Sequence, residues 1–498
     1  MASASGALAA LLLLVCAAAA GGGGTPDGSE EWGYVEVRPK AHMFWWLYHS
    51  PQRVDNGTTP WPTVLWLQGG PGASGVGYGN FMEIGPLDED LKPRATTWLA
   101  KADLLFVVSI SNPKFPIQSI TAMHAIDEHE RRQQWRWWPQ DNPVGTGFSY
   151  VEGGNRQSLM ARTDGEAARD LVTLLCALYR GSPRLRASPL YIVAESYGGK
   201  FAVTTALAAL SAVDQGRLRA TLAGVALGDS WISPLDFVLS WGPLLYQVSR
   251  VDEKGLQQCN SVAAKIKEQL EKKQFTDAEA SWSDLENVVS ANSNSVNFYN
   301  FLKDELSGDS STTTGAAAVS TMASFRRRNG YSGYLKSMAA ASSSSSSGGF
   351  DGLMNTVIKK KLGIIPKDLN WGDQSDDVFV ALEGDFMKPR IEEVDQLLKL
   401  GINVTIYNGQ LDLICATKGT MDWVHKLKWD GLNSFLSAPR TPIYCDNEGQ
   451  SGTRTQAFVK SYKNLNFYWI LEAGHMVPID NPCPALKMLA DITRSPAK

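Results

Sequence analysis

A serine on a sharp turn is the residue whose surroundings most clearly suggest chemistry. The apolar residues 190–193 predict a buried strand that ends at Glu195, and residues 201–210 predict a helix. Ser196 lies between them, flanked by small residues in an Ala-x-Ser-x-Gly pattern. Such a turn exposes a serine hydroxyl as a nucleophile, and the helix start directs backbone N–H groups towards a developing oxyanion. The alternative is an ordinary tight turn that leads into a helix.

An acid and a histidine follow Ser196 in the chain order that hydrolases with such a serine use. Residues 404–412 form a β-rich run that ends at Asp412, and residues 467–475 form a second run that ends at His475. Both side chains are therefore expected just past the carboxyl end of a strand, where open α/β sheets gather their chemistry. A lone Asp or His in such a place usually caps a loop. Three such positions in the right order instead predict a catalytic triad, in which the histidine takes the serine proton and the acid orients the imidazole.

Five motifs together resemble the serine carboxypeptidase family, in particular the branch with retinoid-inducible and plant serine carboxypeptidase-like members. They are Trp-Leu-Gln-Gly-Gly-Pro-Gly at 66–72, Asp-Asn-Pro-Val-Gly-Thr-Gly-Phe-Ser at 141–149, Glu-Ser-Tyr-Gly-Gly at 195–199, Asn-Gly-Gln-Leu-Asp at 408–412 and Gly-His-Met-Val-Pro at 474–478. The resemblance spans most of the chain. It implies an α/β-hydrolase fold, with a mostly parallel central sheet, helices on both faces and an inserted helical cap, and it implies serine-type carboxypeptidase activity.

The resemblance also implies roles for residues around the triad. The backbone N–H groups of Gly70 and Tyr197 are expected to form the oxyanion hole, and Cys415 and Met476 to line the pocket. The terminal carboxylate of the substrate is expected to be held by an amide, a backbone N–H and two acids: Gln68, Gly69, Glu195 and, nearby, Glu83. Two carboxyls in a low-dielectric pocket do not both ionise, so one stays protonated and donates to the substrate, which favours mildly acidic pH. For Glu195 the alternative is an acid that the helix dipole stabilises. No metal or organic cofactor is implied.

Length and composition agree with a large protein of the secretory pathway. At 498 residues, of which 44% are hydrophobic, the chain can bury a large core with an inserted subdomain. An apolar run followed by four glycines predicts a signal peptide over residues 1–20, too short to span a bilayer. We expect a secreted or vacuolar/lysosomal protein that acts on peptide or protein C-termini. The net charge of −4 argues against a nucleic-acid partner, and no later stretch predicts a membrane partner. The oligomeric state stays open.

The cysteines and the glycosylation sequons fit an oxidising compartment in part. Removal of Cys16 with the signal peptide leaves five cysteines, so at least one stays unpaired. Cys176 lies on an apolar face of a predicted helix and is expected to be a buried thiol. Asn56 and Asn403 each begin an Asn-x-Thr sequon and are candidates for glycosylation.

The catalytic core is predicted in two parts, residues 32–235 and 353–498. The intervening residues 236–352 are helical and polar, include a serine-rich low-complexity tract and are interpreted as the cap. Within the core, the pattern predicts an antiparallel hairpin at 32–48 and buried strands at 64–67 and 221–227. It also predicts an amphipathic helix at 161–179.

Residues 108–140 interrupt the first part of the core. Relatives run from Ala-Asp-Leu-Leu-Phe-Val, here at 102–107, directly into the motif that begins at Asp141. The extra segment has no clean period, and it begins with Val-Ser and ends with Gln, as an in-frame retained intron would when translated. A functional loop is the competing interpretation, although a long structureless insertion at a strand end is unusual.

Two other functions remain open at this point. Some plant relatives are acyltransferases that use glucose esters with the same triad, and a complete carboxylate-binding set argues against that reaction here. The chain is alternatively an inactive isoform, because residues 108–140 interrupt a core strand.

A variant that joins Val107 directly to Asp141 tests the insertion. A surviving fold requires residues 108–140 to bulge out at the edge of the sheet, where their tryptophans would expose apolar surface or cover the pocket. We therefore expect the variant to melt at a higher temperature and to cleave peptides faster than the full chain. Thermal unfolding and kcat/KM measure both effects, and a decrease in both would identify the segment as a structural element.

Overall fold

One sheet organises the residues that this structure, a computed structural model, describes: 19–54, 60–109, 147–152, 159–305, 349–372, 376–445 and 454–495. Within these residues twelve strands belong to it: β1 (Ala19–Gly24), β2 (Glu30–Arg38), β3 (Ala41–Tyr48), β4 (Thr63–Leu67), β5 (Asp103–Ser109), β6 (Tyr150–Val151), β7 (Pro189–Glu195), β8 (Thr221–Gly228), β9 (Asn403–Gly409), β10 (Thr441–Tyr444), β11 (Thr455–Tyr462) and β12 (Leu465–Ile470). Their order across the sheet is β1-β2-β3-β5-β4-β7-β8-β9-β12-β11-β10, and β6 pairs with β3.

The centre of the sheet is parallel and its two sides are antiparallel. Strands β5, β4, β7, β8, β9 and β12 are parallel neighbours. The flanking strands β2 and β3 form the hairpin predicted at 32–48, and β10 and β11 continue the sheet beyond β12. Because the carboxyl ends of parallel strands meet at one edge, the turns after β4, β7, β8, β9 and β12 lie close together.

Side chains alternate between two cores, one on each face of the sheet. In β7, Leu190 and Ile192 belong to one core and Tyr191 and Val193 to the other. Successive residues of a strand point to opposite faces, so an uninterrupted apolar run indicates a strand that is covered on both sides. This run is why the central strands can be predicted from the sequence.

Helices cover both faces, as predicted. The described residues include fourteen α-helices: α1 (Asp164–Gly181), α2 (Pro183–Arg186), α3 (Gly198–Asp214), α4 (Pro234–Gln247), α5 (Glu253–Glu271), α6 (Phe275–Ser293), α7 (Gly349–Leu353), α8 (Lys359–Leu362), α9 (Asp376–Phe386), α10 (Ile391–Lys399), α11 (Thr417–Val424), α12 (Leu432–Ser437), α13 (Val477–Asp480) and α14 (Pro482–Thr493). A π-helix, Gly75–Ile84, follows β4, a 3₁₀ helix occupies Trp98–Ala100, and a π-helical segment, Met354–Ile358, joins α7 to α8. Helices α1 and α3 contribute to one core, whereas α14 and the first π-helix contribute to the other.

Between β8 and β9, the regular elements of the described residues are helices, joined by loops, one of which contains an isolated bridge between Val296 and Asp304. Helices α4, α5 and α6 follow β8 directly, and α5 and α6 pack against each other. Further along, α9 packs against α6, and α10 packs against α3 and β9. The sheet resumes only at Asn403, so the predicted second part of the core begins with helices.

Several predicted features lie wholly or partly outside the described residues. These are most of the predicted signal peptide, Asn56, the serine-rich tract and the predicted insertion beyond its first two residues. Those two residues, Val108 and Ser109, extend β5 and pair with Phe44 and Met43 of β3. Within the described residues, no helix is both long enough and apolar enough to cross a membrane.

One disulfide, between Cys445 and Cys483, joins the end of β10 to α14. Cys176, Cys259 and Cys415 are buried and lie outside this disulfide. The expectation that Cys176 is a buried thiol is therefore confirmed.

Candidate active site

Ser196 occupies the turn between β7 and α3. Its backbone has a φ of +61°, a conformation that is uncommon for residues with a side chain and that marks a constrained turn. The Ser196 N–H donates to the carbonyl of Gly228 at 3.0 Å, which ties the turn to the end of β8. A Cβ at Gly198 would lie 2.2 Å from the carbonyl oxygen of Leu67, so the turn has no room for a larger residue there. The small residue noted in the sequence has a steric cause.

Asp412 and His475 form a buried pair. His475 Nδ1 lies 2.8 Å from Asp412 Oδ2, and the Asp412 Oδ1 atom accepts from the backbone N–H of Cys415 at 3.2 Å. Because a carboxylate only accepts, the hydrogen of the neutral imidazole lies on Nδ1. Nε2 is then the basic nitrogen, and it has no hydrogen-bond partner in the described residues. The structure thus brings together the acid and the histidine at the sheet edge where Ser196 lies.

The stretch that follows α6 holds both members of this pair. The Tyr299 carbonyl accepts from the backbone N–H of His475 at 2.8 Å, and its ring meets the imidazole edge to face, with centroids 4.7 Å apart. The Phe298 carbonyl accepts from the N–H groups of Leu413 and Ile414 at 3.1 and 2.9 Å. A segment of the predicted cap therefore positions the acid loop and the histidine together.

Sequence reasoning missed the role of this stretch. Its only local signal is an asparagine turn, since Asn297 Oδ1 accepts from the N–H groups of Tyr299 and Asn300, both at 2.9 Å. That signal predicts a turn, but it does not indicate that the turn contacts a histidine far along the chain.

Gln68, Glu83 and Glu195 form a second buried group beside the nucleophile. Gln68 Nε2 donates to Glu83 Oε1 at 3.0 Å and to Glu195 Oε1 at 2.8 Å, and Trp66 Nε1 donates to Gln68 Oε1 at 2.6 Å. The indole fixes the orientation of the amide, which therefore presents its two hydrogens to the two acids. Gln68, Glu83 and Glu195 are predicted to bind a carboxylate together with Gly69, and the structure places these three side chains in direct contact with one another.

The carboxyl groups of the two acids interact directly, and the pKa of each is raised. Burial raises the pKa of Glu195 well above its usual value, and the charge of Glu83 raises it further. Burial also raises the pKa of Glu83, against the lowering effect of its hydrogen bonds to Glu195 and Gln68. The Oε2 atoms of both acids lack a donor among the other described residues, and the two carboxyl groups are close enough to hydrogen-bond to each other when one of them is protonated. One acid is therefore neutral and can donate a hydrogen bond.

Gly69 and Gly70 run directly past the nucleophile. A Cβ at Gly69 would lie 2.4 Å from Ser196 Cβ and 2.8 Å from the backbone nitrogen of Tyr197. Gly70 has a φ of +110°, which only glycine adopts without strain. The two predicted oxyanion donors, Gly70 and Tyr197, thus belong to backbone segments that touch.

Comparison with known proteins identifies the family. The sequence profile of the serine carboxypeptidase family matches residues 21–114 and 140–495. The chain belongs to the serine carboxypeptidase family. It is 53% identical to serine carboxypeptidase-like 51 of Arabidopsis thaliana, over 94% of this chain and 93% of that protein. It is 43% identical to human retinoid-inducible serine carboxypeptidase, over 94% of this chain and 92% of that protein.

A solved structure shares the fold of this serine carboxypeptidase. The prohormone-processing carboxypeptidase KEX1 of Saccharomyces cerevisiae superposes with a TM-score of 0.68 at 21% identity, over 93% of this chain and 91% of that chain. This likeness confirms the predicted α/β-hydrolase fold. The stretch between the two parts that the family profile matches falls inside the segment 108–140, whose origin as an insertion stays a prediction.

In this serine carboxypeptidase, Cys415 lies in the loop that carries Asp412, and Met476 directly follows His475. Both side chains are buried. Burial raises the pKa of the Cys415 thiol well above its usual value, and the charge of Asp412 adds to the effect. Asp412, Cys415 and His475 offer ligand atoms within 4.8 Å of one another, so they are the group in the described residues that could hold a metal ion. The raised thiol pKa opposes the thiolate that such a ligand set needs.

A buried network of charged groups supports the residue after the nucleophile. The Tyr197 hydroxyl donates to Asp164 Oδ1 at 2.7 Å and accepts from Lys200 Nζ at 3.3 Å. Arg390 Nε donates to Asp164 Oδ2 at 2.8 Å, and Asp385 Oδ2 accepts from the backbone N–H of Asp164 at 2.9 Å. Burial lowers the pKa of Lys200 to about 8, against the raising effect of Asp164. The network ties the start of α3 to the helices that precede β9.

Replacement of Tyr197 by Phe tests this network. The change removes the hydroxyl that donates to Asp164 and accepts from Lys200. Because Asp164 and Lys200 are both fully buried, we expect the free energy of unfolding to fall by about 1–3 kcal/mol. Urea denaturation measures the difference. Tyr179→Phe is the matched control, because the Tyr179 hydroxyl is buried and has no hydrogen-bond partner in the described residues. That variant should be as stable as the wild type or more stable, and equal losses in the two variants would contradict the proposed role of the network.

Proposed function

We propose that this serine carboxypeptidase releases C-terminal residues from peptides through an acyl-enzyme, with highest activity at acidic pH. The observation that carries the proposal is the pair of buried acids, Glu83 and Glu195, bridged by Gln68 beside Ser196. A neutral acid next to the nucleophile can donate to a terminal carboxylate, which an endopeptidase has no need to bind.

In the proposed reaction Ser196 Oγ attacks the carbonyl carbon of the last peptide bond while His475 Nε2 takes the hydroxyl proton. The backbone N–H groups of Gly70 and Tyr197 donate to the oxyanion that forms. His475 then gives its proton to the leaving amino group, the C–N bond breaks, and the acyl-enzyme remains. Water attacks the ester by the same route and regenerates the serine. Asp412 holds the imidazole with Nε2 towards the serine and stabilises its charged form.

The proposed carboxylate subsite uses the group around Gln68. Its amide, the N–H of Gly69 and the proton shared by Glu83 and Glu195 are suited to the two oxygens of a terminal carboxylate. Because burial raises the pKa of both acids, their proton is retained at acidic pH and is lost as the pH rises. Loss of the proton would place two negative charges against the substrate carboxylate. Acidic pH therefore favours binding.

We propose that the protein enters the secretory pathway and is secreted or vacuolar/lysosomal. The apolar run in residues 1–20 and the Cys445–Cys483 disulfide support this location, since disulfides persist in oxidising compartments. Glycosylation is proposed at Asn56 and Asn403. Asn403 is exposed at the start of β9, and its side-chain amide donates to the carbonyl of Ala223 at 3.0 Å.

Substitutions in the triad test the mechanism. We expect Ser196→Ala and His475→Ala to lower kcat by roughly 10⁶-fold with an intact fold, and Asp412→Asn to lower it by about 10⁴-fold through the wrong imidazole tautomer. A fluorophosphonate should label the wild type covalently at Ser196. Labelling that persists in Ser196→Ala would show that another residue is the nucleophile, and circular dichroism controls for folding.

Amidation of the peptide C-terminus tests the carboxylate subsite. We expect an otherwise identical peptide amide to have a kcat/KM lower by the equivalent of about 1–3 kcal/mol at acidic pH, because a buried donor is left unmatched. The difference should shrink as the pH rises and the shared proton is lost. Equal rates for acid and amide at every pH would argue against this subsite, and a glucose ester assayed in parallel tests the acyltransferase alternative.

A further inference from the structure

A fourth acid, Asp229, lies at the same sheet edge and has no part in the proposed mechanism. It follows β8 directly and is fully buried. Its backbone N–H donates to the carbonyl of Tyr407 at 2.9 Å, and its Oδ1 atom accepts from the N–H of Gly409 at 2.8 Å. Its φ of +41° lies in the left-handed region, which Asp and Asn tolerate better than most residues. Asp229 is therefore fixed against the end of β9, just before the loop that carries Asp412.

The second carboxyl oxygen of Asp229 faces the triad acid. Oδ2 has no N–H or O–H partner in the described residues, and the side-chain group within hydrogen-bonding reach is the carboxyl of Asp412. Two ionised carboxylates in contact at a buried site repel strongly, so we expect one proton to lie between them. Asp412 accepts from His475 Nδ1 and from the N–H of Cys415, whereas Asp229 accepts from Gly409 alone. The larger number of donors favours the charge on Asp412 and the proton on Asp229.

We propose that Asp229 is a positioning residue whose Oδ2–H group donates to the carboxylate of Asp412 and so fixes the acid that orients His475. The inference rests on the proposed triad and goes beyond it, because it assigns a role to a residue outside the triad and outside the carboxylate subsite. Burial and the charge of Asp412 both raise the pKa of the Asp229 carboxyl well above its usual value, in agreement with a proton on Asp229 at pH values where an exposed aspartate is ionised.

Other ionisable groups also bear on the Asp229 proton. Groups from four parts of the fold interact electrostatically with it: Asp412 and Cys415 in the loop after β9, Asp480 in α13, Glu195 at the end of β7 and Tyr407 in β9. The acids among them oppose the loss of the proton, whereas His475, which is hydrogen-bonded to Asp412, is a basic group beside them. The proton should therefore be retained to a higher pH than an exposed aspartate would keep it, and its loss should loosen Asp412.

The loop that carries Asp229 also contacts the nucleophile. The Ser196 carbonyl accepts from the N–H of Trp231 at 2.9 Å, and the Gly228 carbonyl accepts from the N–H of Ser196. A purely structural role for Asp229, in which it only pairs with Gly409, would affect stability without a separate dependence of the chemical step on pH. The test must therefore distinguish these two roles.

The rate at which a fluorophosphonate labels Ser196 is the appropriate measurement. The serine oxygen bonds to phosphorus, the P–F bond breaks with loss of fluoride, and His475 takes the serine proton. This probe has no carboxylate, so Glu83 and Glu195 do not bind it as they would a peptide. Asp229→Gly keeps the backbone conformation accessible and removes the side chain. Asp229→Asn keeps the Oδ1 acceptor and offers an N–H donor that does not titrate.

We expect Asp229→Gly to label about 10- to 100-fold more slowly than the wild type, the scale of a small misplacement of a catalytic group. Asp229→Asn should recover most of that rate. The wild-type rate should fall at alkaline pH as Asp229 loses its proton, whereas the Asp229→Asn rate should not show this fall.

Two results would overturn the proposal: Asp229→Gly labelling as fast as the wild type, or the wild type and Asp229→Asn sharing one alkaline decrease. If Asp229→Gly does not fold, the pH profiles of the wild type and of Asp229→Asn still distinguish the positioning role of Asp229 from a purely structural one. Labelling that proceeds normally while peptides are not cleaved would refute the carboxypeptidase assignment and leave the role of Asp229 supported. A wild type that never labels would refute the triad and this proposal with it.

Discussion

Four buried carboxyl groups meet at the carboxyl edge of the sheet, and their mutual repulsion is the constraint on which the site depends. Glu83, Glu195, Asp229 and Asp412 are each at most 1% exposed. The charges of the other three all raise the pKa of Glu195, so the acids behave as one electrostatic unit. The folded chain therefore holds protons that unfolded carboxyls release above about pH 4. The free energy of unfolding falls as the pH rises from there towards the raised pKa values. The pH dependence of stability therefore runs in the same direction as the proposed preference of the activity for acidic pH.

The residues predicted from the sequence are those that follow a short β-rich run. Ser196, Asp412 and His475 could be found because β7, β9 and β12 are each rich in apolar and β-branched or aromatic residues, and a polar residue follows each strand in the loop after it. The parallel order of these strands then follows, since their carboxyl ends must meet for the triad to form. The strand patterns in the sequence and the need to bring the three triad residues together therefore predict the same arrangement of these strands.

The remaining features depend on contacts between distant parts of the chain, which no local pattern records. Tyr299 follows a helix of the predicted cap and contacts His475 through its carbonyl and its ring. Asp229 follows a strand as the triad residues do, but its partner is a carboxyl, and nothing in its own neighbourhood indicates that it keeps a proton. The network around Asp164 likewise joins residues from separate helices. Such positions become visible only when the strands and helices are placed.

The hydrogen bond between Tyr299 and His475 bears on how modular this enzyme is. Inserted caps of α/β-hydrolases are often regarded as exchangeable parts on a constant catalytic body. Here the carbonyls of Phe298 and Tyr299 accept from the backbone of the acid loop and of the histidine, so the boundary between the predicted cap and the core passes through the candidate active site. A cap transplanted from a relative has to bring this short stretch with it or leave the recipient's own in place. The sequence of the predicted cap can therefore diverge without affecting the candidate active site only outside the stretch that contains Phe298 and Tyr299.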